Sequence, residues 1–399
     1  MAATLAPPTP EMGDPDAAST SSAAPDSQRQ DIVAVVVIAA LICGALVAYW
    51  FTSVVSAPGP QDPAEAGQLI SSMYDPPTNA VENGLVKGDG QLFAGQATDP
   101  LVRRPEMVRG GESEQAYRYQ RPMYGWLGWA ASGGQRAAVA WALIVVTVIS
   151  VVGLVAMAGV WLAARGADPR WALATIAMPG VFVDLTWVGP EALGTALVLA
   201  GLFRWLRPNR PGDVDPAGIE GERPDLVAVA LFAAAGLCRE TLLLVPFVLM
   251  VTALVRRRLP HAAAAAASAV PYLLWVAFLL VRIGALPKGS VGGRMSVVPF
   301  GGLLSEASGW GPGDLLFATV LLGLAVAALV LGRGSGLRPL VGAHLALAAT
   351  LGAPVWHRFP DFGRVLLPLG MLSLLVVVPA LAARKAGDPA PGALQSASR

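Results

Sequence analysis

Residues 137–164 read AAVAWALIVVTVISVVGLVAMAGVWLAA, without one charged side chain. A bilayer core of about 30 Å is crossed by about 20 helical residues, so this run is long enough to span one with tilt to spare. Further apolar runs lie on both sides of it, at 32–54, 171–187, 191–206, 225–238, 241–255, 262–283, 313–332, 339–356 and 364–383. Ten segments in all predict an all-α integral membrane protein with about ten transmembrane helices. A large loop, 55–136, lies between the first and second. Segments 191–206, 225–238 and 241–255 are short, and the last two are parted only by Arg239-Glu240. Short paired helices flanking ionisable residues predict a partly inserted hairpin or a break that lines a cavity.

Composition agrees. Of 399 residues, 54% are hydrophobic and 14% charged, with mean hydropathy +0.57. Soluble domains carry about 25% charged residues. A soluble enzyme and a disordered scaffold are excluded. The net charge of +1 excludes a nucleic-acid binder that works by bulk electrostatics. Cys43 and Cys238 lie in apolar runs and form neither a disulfide framework nor a zinc site. Three histidines without HxxxH or HxD spacing predict no metal site. No phosphate-cradling glycine loop or dinucleotide-binding unit is present, so a soluble nucleotide-sugar donor has no support.

The organisation expected is a disordered segment at 1–30, a membrane domain at 31–386 and a disordered tail at 387–399. The first segment is rich in Ala, Pro, Ser and Asp, and cannot bury enough surface to order itself. It lacks the cationic start and apolar core of a signal peptide. Arginines recur in alternate loops: Arg165 and Arg170; Arg204, Arg207 and Arg210; Arg256 to Arg258; Arg333 and Arg338; Arg384 with Lys385. Basic short loops stay cytoplasmic, so both termini are expected inside a multi-pass plasma-membrane protein.

The unusual polar residues then fall on the outer side. GDGQLFAGQATDP carries Asp89 and Asp99, and YRYQRPMYGWLGW (117–129) carries Arg118 and Arg121. Asp184 ends the third segment, Glu191 opens the fourth, and Arg239 and Glu240 form the next outer turn. Lys288 and Arg294 follow, then His357, Arg358, Asp361 and Arg364 in WHRFPDFGR. Ionisable groups at membrane depth usually face a cavity or a partner. A carboxylate beside the bilayer can act as general base on a hydroxyl, and arginines hold phosphate through forked hydrogen bonds. A lipid-phosphate-linked sugar uses both, because its leaving phosphate gains charge during transfer.

Each residue also has a plainer reading. Asp89 between two glycines reads as a turn, and Asp99-Pro100 as a helix boundary or turn. The 117–129 run reads as an interfacial helix with its aromatics at headgroup level. Glu191 reads as a first-turn carboxylate favoured by the helix dipole, Asp184 as the partner of an arginine inside the bundle, and Arg239-Glu240 as a bare turn. Arg364 reads as a snorkelling anchor, and His357 as a satisfied interfacial histidine.

Three local features resemble the GT-C superfamily of multi-span glycosyltransferases, which use polyprenyl-phosphate sugars. GDGQLF resembles the Asp-Gly pair in the first outer loop of bacterial members and of the mannosyltransferases that build GPI anchors. YRYQRPMYGWLGW resembles the aromatic and arginine run that follows it in actinobacterial members. GPEALGTALVLAGL and AGLCRETLLLVP resemble their P-E-x-L and R-E-T segments. The resemblance covers residues 80–383. It departs at position 88, Gly where Tyr or Trp is usual, and at Gly125, where Pro is common.

The resemblance implies a GT-C fold and transfer of a sugar, mannose among the candidates, from a polyprenyl-phosphate donor to a lipid or glycan acceptor at the outer face. It implies Asp89 as the catalytic base, with Glu191 and Glu240 as supporting carboxylates. Arg118, Arg121, Arg239, His357, Arg358 and Arg364 are the candidate substrate-binding residues. No motif carries a metal site over, and the cofactor stays open, a divalent cation being compatible. Two other functions fit the sequence: a transporter or flippase for a lipid-linked or polar solute, and an accessory subunit of an envelope-assembly complex.

Overall fold

A computed structural model of the chain describes residues 24–55, 73, 79–86, 88–206, 223–288 and 295–385. The two tails, Arg207, Arg210, Arg294 and most of 56–78 lie outside the described residues. Those described are helical throughout, with no strand among them beyond one isolated bridge between Met295 and Leu351.

The described residues begin with α1 (Ala24–Val55), so the helix starts within the segment read as disordered. The loop that follows is folded over much of its length, as α2 (Ala80–Val86), α3 (Gly90–Thr98), α4 (Glu112–Tyr119) and α5 (Pro122–Ser132). Next come α6 (Arg136–Ala164), a 3-10 segment (Pro169–Ala177), α7 (Pro179–Trp187) and α8 (Glu191–Leu206). After the 207–222 gap lie α9 (Leu226–Cys238), a 3-10 turn (Glu240–Leu243) and α10 (Leu244–Val255). The remainder is α11 (Leu259–Ala267), α12 (Val270–Ile283), α13 (Gly301–Glu306), α14 (Pro312–Leu331), α15 (Arg338–Thr350), α16 (Ala353–Trp356), α17 (Phe359–Val365) and α18 (Leu367–Lys385).

Five stretches are long and apolar enough to cross a membrane: Ser27–Ser53, Arg136–Ala164, Leu259–Ile283, Pro312–Leu331 and Leu367–Lys385. The other five expected segments are shorter or interrupted. Segment 171–187 breaks ahead of Pro179, which lacks the N–H a continuous helix needs. Segment 339–356 breaks at Leu351-Gly352, ahead of Pro354. In segment 364–383 the break falls at Leu366, ahead of Pro368. The Arg239 break matches its prediction: its backbone is extended between α9 and the 3-10 turn.

The long helices divide by what they touch. Only 17% of the α1 span, 22% of the α11–α12 span and 28% of α14 are buried, against 61% of α18. The outward faces of the first three carry Leu41, Leu273, Leu274, Val281, Leu316 and Val320, all exposed. Water does not tolerate contiguous apolar faces of that extent, and a bilayer does. α18 instead packs inside the main core, with α6, α7, α8, α14 and α15 around it. A second core forms where α2 to α5 pack on the start of α6 and the end of α12, with Phe93, Tyr119, Tyr124, Leu143 and Leu279 at its centre. The 79–132 region is therefore an attached folded layer, seated on one end of the helix bundle.

Candidate functional site

Asp89 is placed by close approach. It does lie in a turn, as read, but neither Gly88 nor Gly90 takes a positive φ, so turn geometry is not what requires the two glycines. A Cβ at Gly88 would stand 2.7 Å from Trp187 Cβ and 2.8 Å from its Cα. One at Gly90 would stand 2.9 Å from Leu85 and 3.2 Å from Val188. The segment can therefore lie against the end of α7 only if both flanks of Asp89 lack side chains. Gln91 Nε2 donates to Val86 O at 3.2 Å and braces the entry to α3. The aspartate precedes α3 without capping it, which leaves its carboxylate free for Arg364, its ion-pair partner.

Arg364 lies in the last turn of α17 and is not an exposed snorkelling anchor: its guanidinium sits 4.9 Å from the Trp187 ring centroid and 3.5 Å from Asp361. α17 reaches this position through a glycine crossing. A Cβ on Gly180 would stand 2.5 Å from Gly363 O, and one on Gly363 would stand 2.7 Å from Pro179 Cβ. Small residues let the two backbones touch, which brings Arg364 beside Asp89. Burial raises the Asp89 carboxyl and is outweighed by Arg364, with Arg118 and Arg121 helping, so it lies below the usual carboxylate range. Burial also acts on Asp361, and there it prevails over Arg364 and lifts the carboxyl.

The 117–129 run is two helices and not one interfacial helix. It breaks at Gln120-Arg121, ahead of Pro122. Tyr119 and Tyr124 are buried, Tyr124 donating to Leu143 O at 3.0 Å. Of the aromatics at headgroup level in the sequence reading, Trp129 alone is exposed, and only to 47%. Gly125 sits where a Cβ would press on Gln96, so α5 crosses α3 closely there. Gln96 Nε2 in turn donates to Arg118 O at 2.8 Å. The break aims both arginines at the site. Arg121 donates twice to Glu240, at 2.8 and 2.9 Å, and lies 5.4 Å from the Tyr117 ring. Arg118 is held by Glu114 at 2.8 Å.

Behind this row, Glu191 opens α8 and is ion-paired to Arg239, both side chains buried. Asp184 does not pair with an arginine. It accepts from the backbone N–H of Ala192 and lies within hydrogen-bonding reach of Glu191. Arg239 also feels Arg121, Glu240 and Arg364. Asp89, Arg118, Arg121, Asp184, Glu191, Arg239, Glu240, Asp361 and Arg364, drawn from α3 to α17, thus form one cluster at one end of the bundle.

His357 and Arg358 turn elsewhere. His357 Nδ1 lies 2.9 Å from Glu306, and Arg358 lies 3.6 Å from Asp314, which also accepts from Phe359 N at 2.7 Å. They tie the α16–α17 turn to α13 and α14. Lys288 meets the 79–132 layer through its backbone N–H, 3.2 Å from Ser113 O. Asp99 accepts from the N–H groups of Arg103 and Arg104 at 2.8 and 2.6 Å, which is the turn role read for it. No group of three His, Cys, Asp or Glu among the described residues is arranged to hold a metal ion.

Sequence reasoning missed Trp187, whose ring lies 4.9 Å from the Arg364 guanidinium, and the Gly180–Gly363 crossing. Nothing local marks either one, because each acquires its role from a segment well over a hundred residues away. No protein-family model, curated protein or solved structure matches the chain.

Proposed function

We propose that the protein is a membrane-embedded glycosyltransferase of the GT-C type, taking a sugar from a polyprenyl-phosphate donor at the outer face. The reading rests above all on one observation: Asp89 and four arginines from four separate segments meet at one end of an apolar helix bundle. A lipid-phosphate donor needs that combination at the border between membrane and water. The ten sequence segments fit this reading if short and interrupted helices cross the bilayer beside the five long ones, so that the number of crossings is even and both termini lie inside.

Asp89 is the base in this scheme. Arg364 keeps it ionised, the form that accepts a proton from the acceptor hydroxyl. Arg118 and Arg121, half-buried at the rim, meet the donor phosphate by exchanging carboxylate partners for phosphate oxygens, and Arg364 adds its charge while staying paired with Asp89. As the phosphate leaves with growing charge, those guanidinium groups stabilise it. Glu191 and Glu240 hold Arg239 and Arg121 in position. A second reading, transport of a polar solute, draws on the helix breaks at Pro179, Leu351 and Leu366.

The test is sugar transfer in membranes from a panel of polyprenyl-phosphate sugars, wild type against Asp89→Asn. Turnover that falls by about 10²–10⁴-fold in the variant supports Asp89 as base. Equal turnover removes Asp89 from that role and keeps the enzyme. No turnover with any donor, in membranes that hold folded protein, moves the weight to transport or to an accessory role.

A further inference from the structure

Asp184 and Glu191 carry four carboxyl oxygens into a site with too few donors. The chain between them turns sharply: Val188, a β-branched residue, adopts φ 59°, a conformation that such side chains rarely enter. That strain persists only where the surroundings enforce it, and such residues cluster at functional sites. The turn brings the end of α7 and the start of α8 together, and both carboxyls are buried there, at 0% and 3% exposure.

The donors can be followed one by one. One Asp184 oxygen, Oδ2, takes the Ala192 N–H. One Glu191 oxygen, Oε1, takes the Arg239 guanidinium. Among the described residues, no donor hydrogen-bonds to Asp184 Oδ1 or Glu191 Oε2. These two oxygens face each other across Gly189, where an added Cβ would collide with both. Burying unsatisfied acceptors is costly, and burying two like charges in contact more so. The cations nearby do not relieve it. Arg239 reaches Glu191 Oε1 through one terminal nitrogen, and its buried Nε donates to neither carboxyl; Arg364 is committed to Asp89 and Arg121 to Glu240. The other titratable groups that face the pair, Tyr124 from α5 and Cys238 from α9, carry no positive charge.

We infer that Asp184 and Glu191 form a buried proton-binding site, in which one proton bridges Asp184 Oδ1 and Glu191 Oε2. The proton comes from water and resides on Asp184, because Glu191 must stay ionised to hold Arg239. Asp184 is then the donor that Glu191 Oε2 otherwise lacks. A short O–H···O⁻ bond replaces a carboxylate repulsion, and the triad with Arg239 is neutral. The inference concerns these side chains alone and does not depend on the transferase reading.

Infrared spectroscopy of the full chain in lipid tests it. At neutral pH the wild type should show the carbonyl stretch of a buried protonated carboxylic acid, which shifts in D₂O and disappears on alkalinisation. Asp184→Asn should abolish that band, keep the wild-type melting temperature at neutral pH through its amide donor, and lose the wild-type destabilisation at alkaline pH. Should that variant not fold, Glu191→Gln is read in its place: its amide donates to Asp184, so the band must vanish there too. A wild type with no such band overturns the proposal. So does a band that survives in the folded variant, or a melting temperature that rises with Na⁺ or Ca²⁺ at fixed ionic strength in wild type and not in the variant, since a cation then occupies the gap.

Discussion

Arg364 pairs with Asp89 across 275 residues of sequence, with its guanidinium 4.9 Å from the Trp187 ring. Three segments that share no sequence proximity thereby meet at one charged contact. Removing Arg364 leaves a half-buried carboxylate without its principal counter-charge. Arg364→Ala should cost about 1–3 kcal/mol of stability by thermal or denaturant unfolding in detergent. Arg364→Lys should recover part of that, since a point charge replaces a fork.

The same pair sets a pH dependence. The Asp89 carboxyl lies below its usual value of 3.8 in the folded protein. Its stabilisation is therefore complete above about pH 5 and is lost as pH falls through the lowered folded value. Melting temperatures measured down to about pH 3 should fall more steeply for wild type than for Asp89→Asn. Parallel curves would mean that Asp89 is not differentially ionised on folding.

A Cβ at Gly88 would meet the Cα and Cβ of Trp187, not its ring alone. Gly88→Ala should destabilise the 79–132 layer by about 1–3 kcal/mol. Trp187→Ala in the same chain should not rescue it, because the obstructing atoms remain. Full rescue, seen by limited proteolysis of the 79–132 region, would contradict the close approach.

At the crossing of α7 and α17 the argument is again steric. A methyl group at Gly180 meets the carbonyl of Gly363, so Gly180→Ala should separate the two helices. The expected loss is about 1–3 kcal/mol, together with a weakened Arg364–Asp89 coupling in a double-mutant cycle. An unchanged coupling energy would show that the crossing does not position Arg364.

Arg121 and Glu240 form a two-pronged pair with side chains 15% and 28% exposed. Alanine at either position, and at both, should reveal a coupling of about 1–3 kcal/mol. That exceeds the value for an exposed surface pair, typically below about 1 kcal/mol. Arg121→Lys should lose most of it.

The polar residues of the site were legible as a set. Asp89, Glu191, Arg239, Glu240 and Arg364 stand out because ionisable groups are rare beside apolar runs, and the structure places all five in one cluster. Their pairings were not legible. Asp184 faces a carboxyl where the sequence reading gave it an arginine, and His357 and Arg358 brace α13 and α14 in place of joining Asp89. The glycines beside Asp89 read as turn residues because Asp-Gly is a common turn pair, while their need arises from Trp187, which local sequence cannot reveal.

By itself the sequence determined the all-helical character, the apolar runs, the break at Arg239 and which segments carry charge, because length, hydropathy and proline act locally along the chain. Tertiary structure alone decided that the 79–132 region folds as a layer on the bundle, that several segments are half-helices, and which carboxylate each arginine holds. Those outcomes depend on backbone approach and on competition among buried partners, and both are fixed only when distant segments pack.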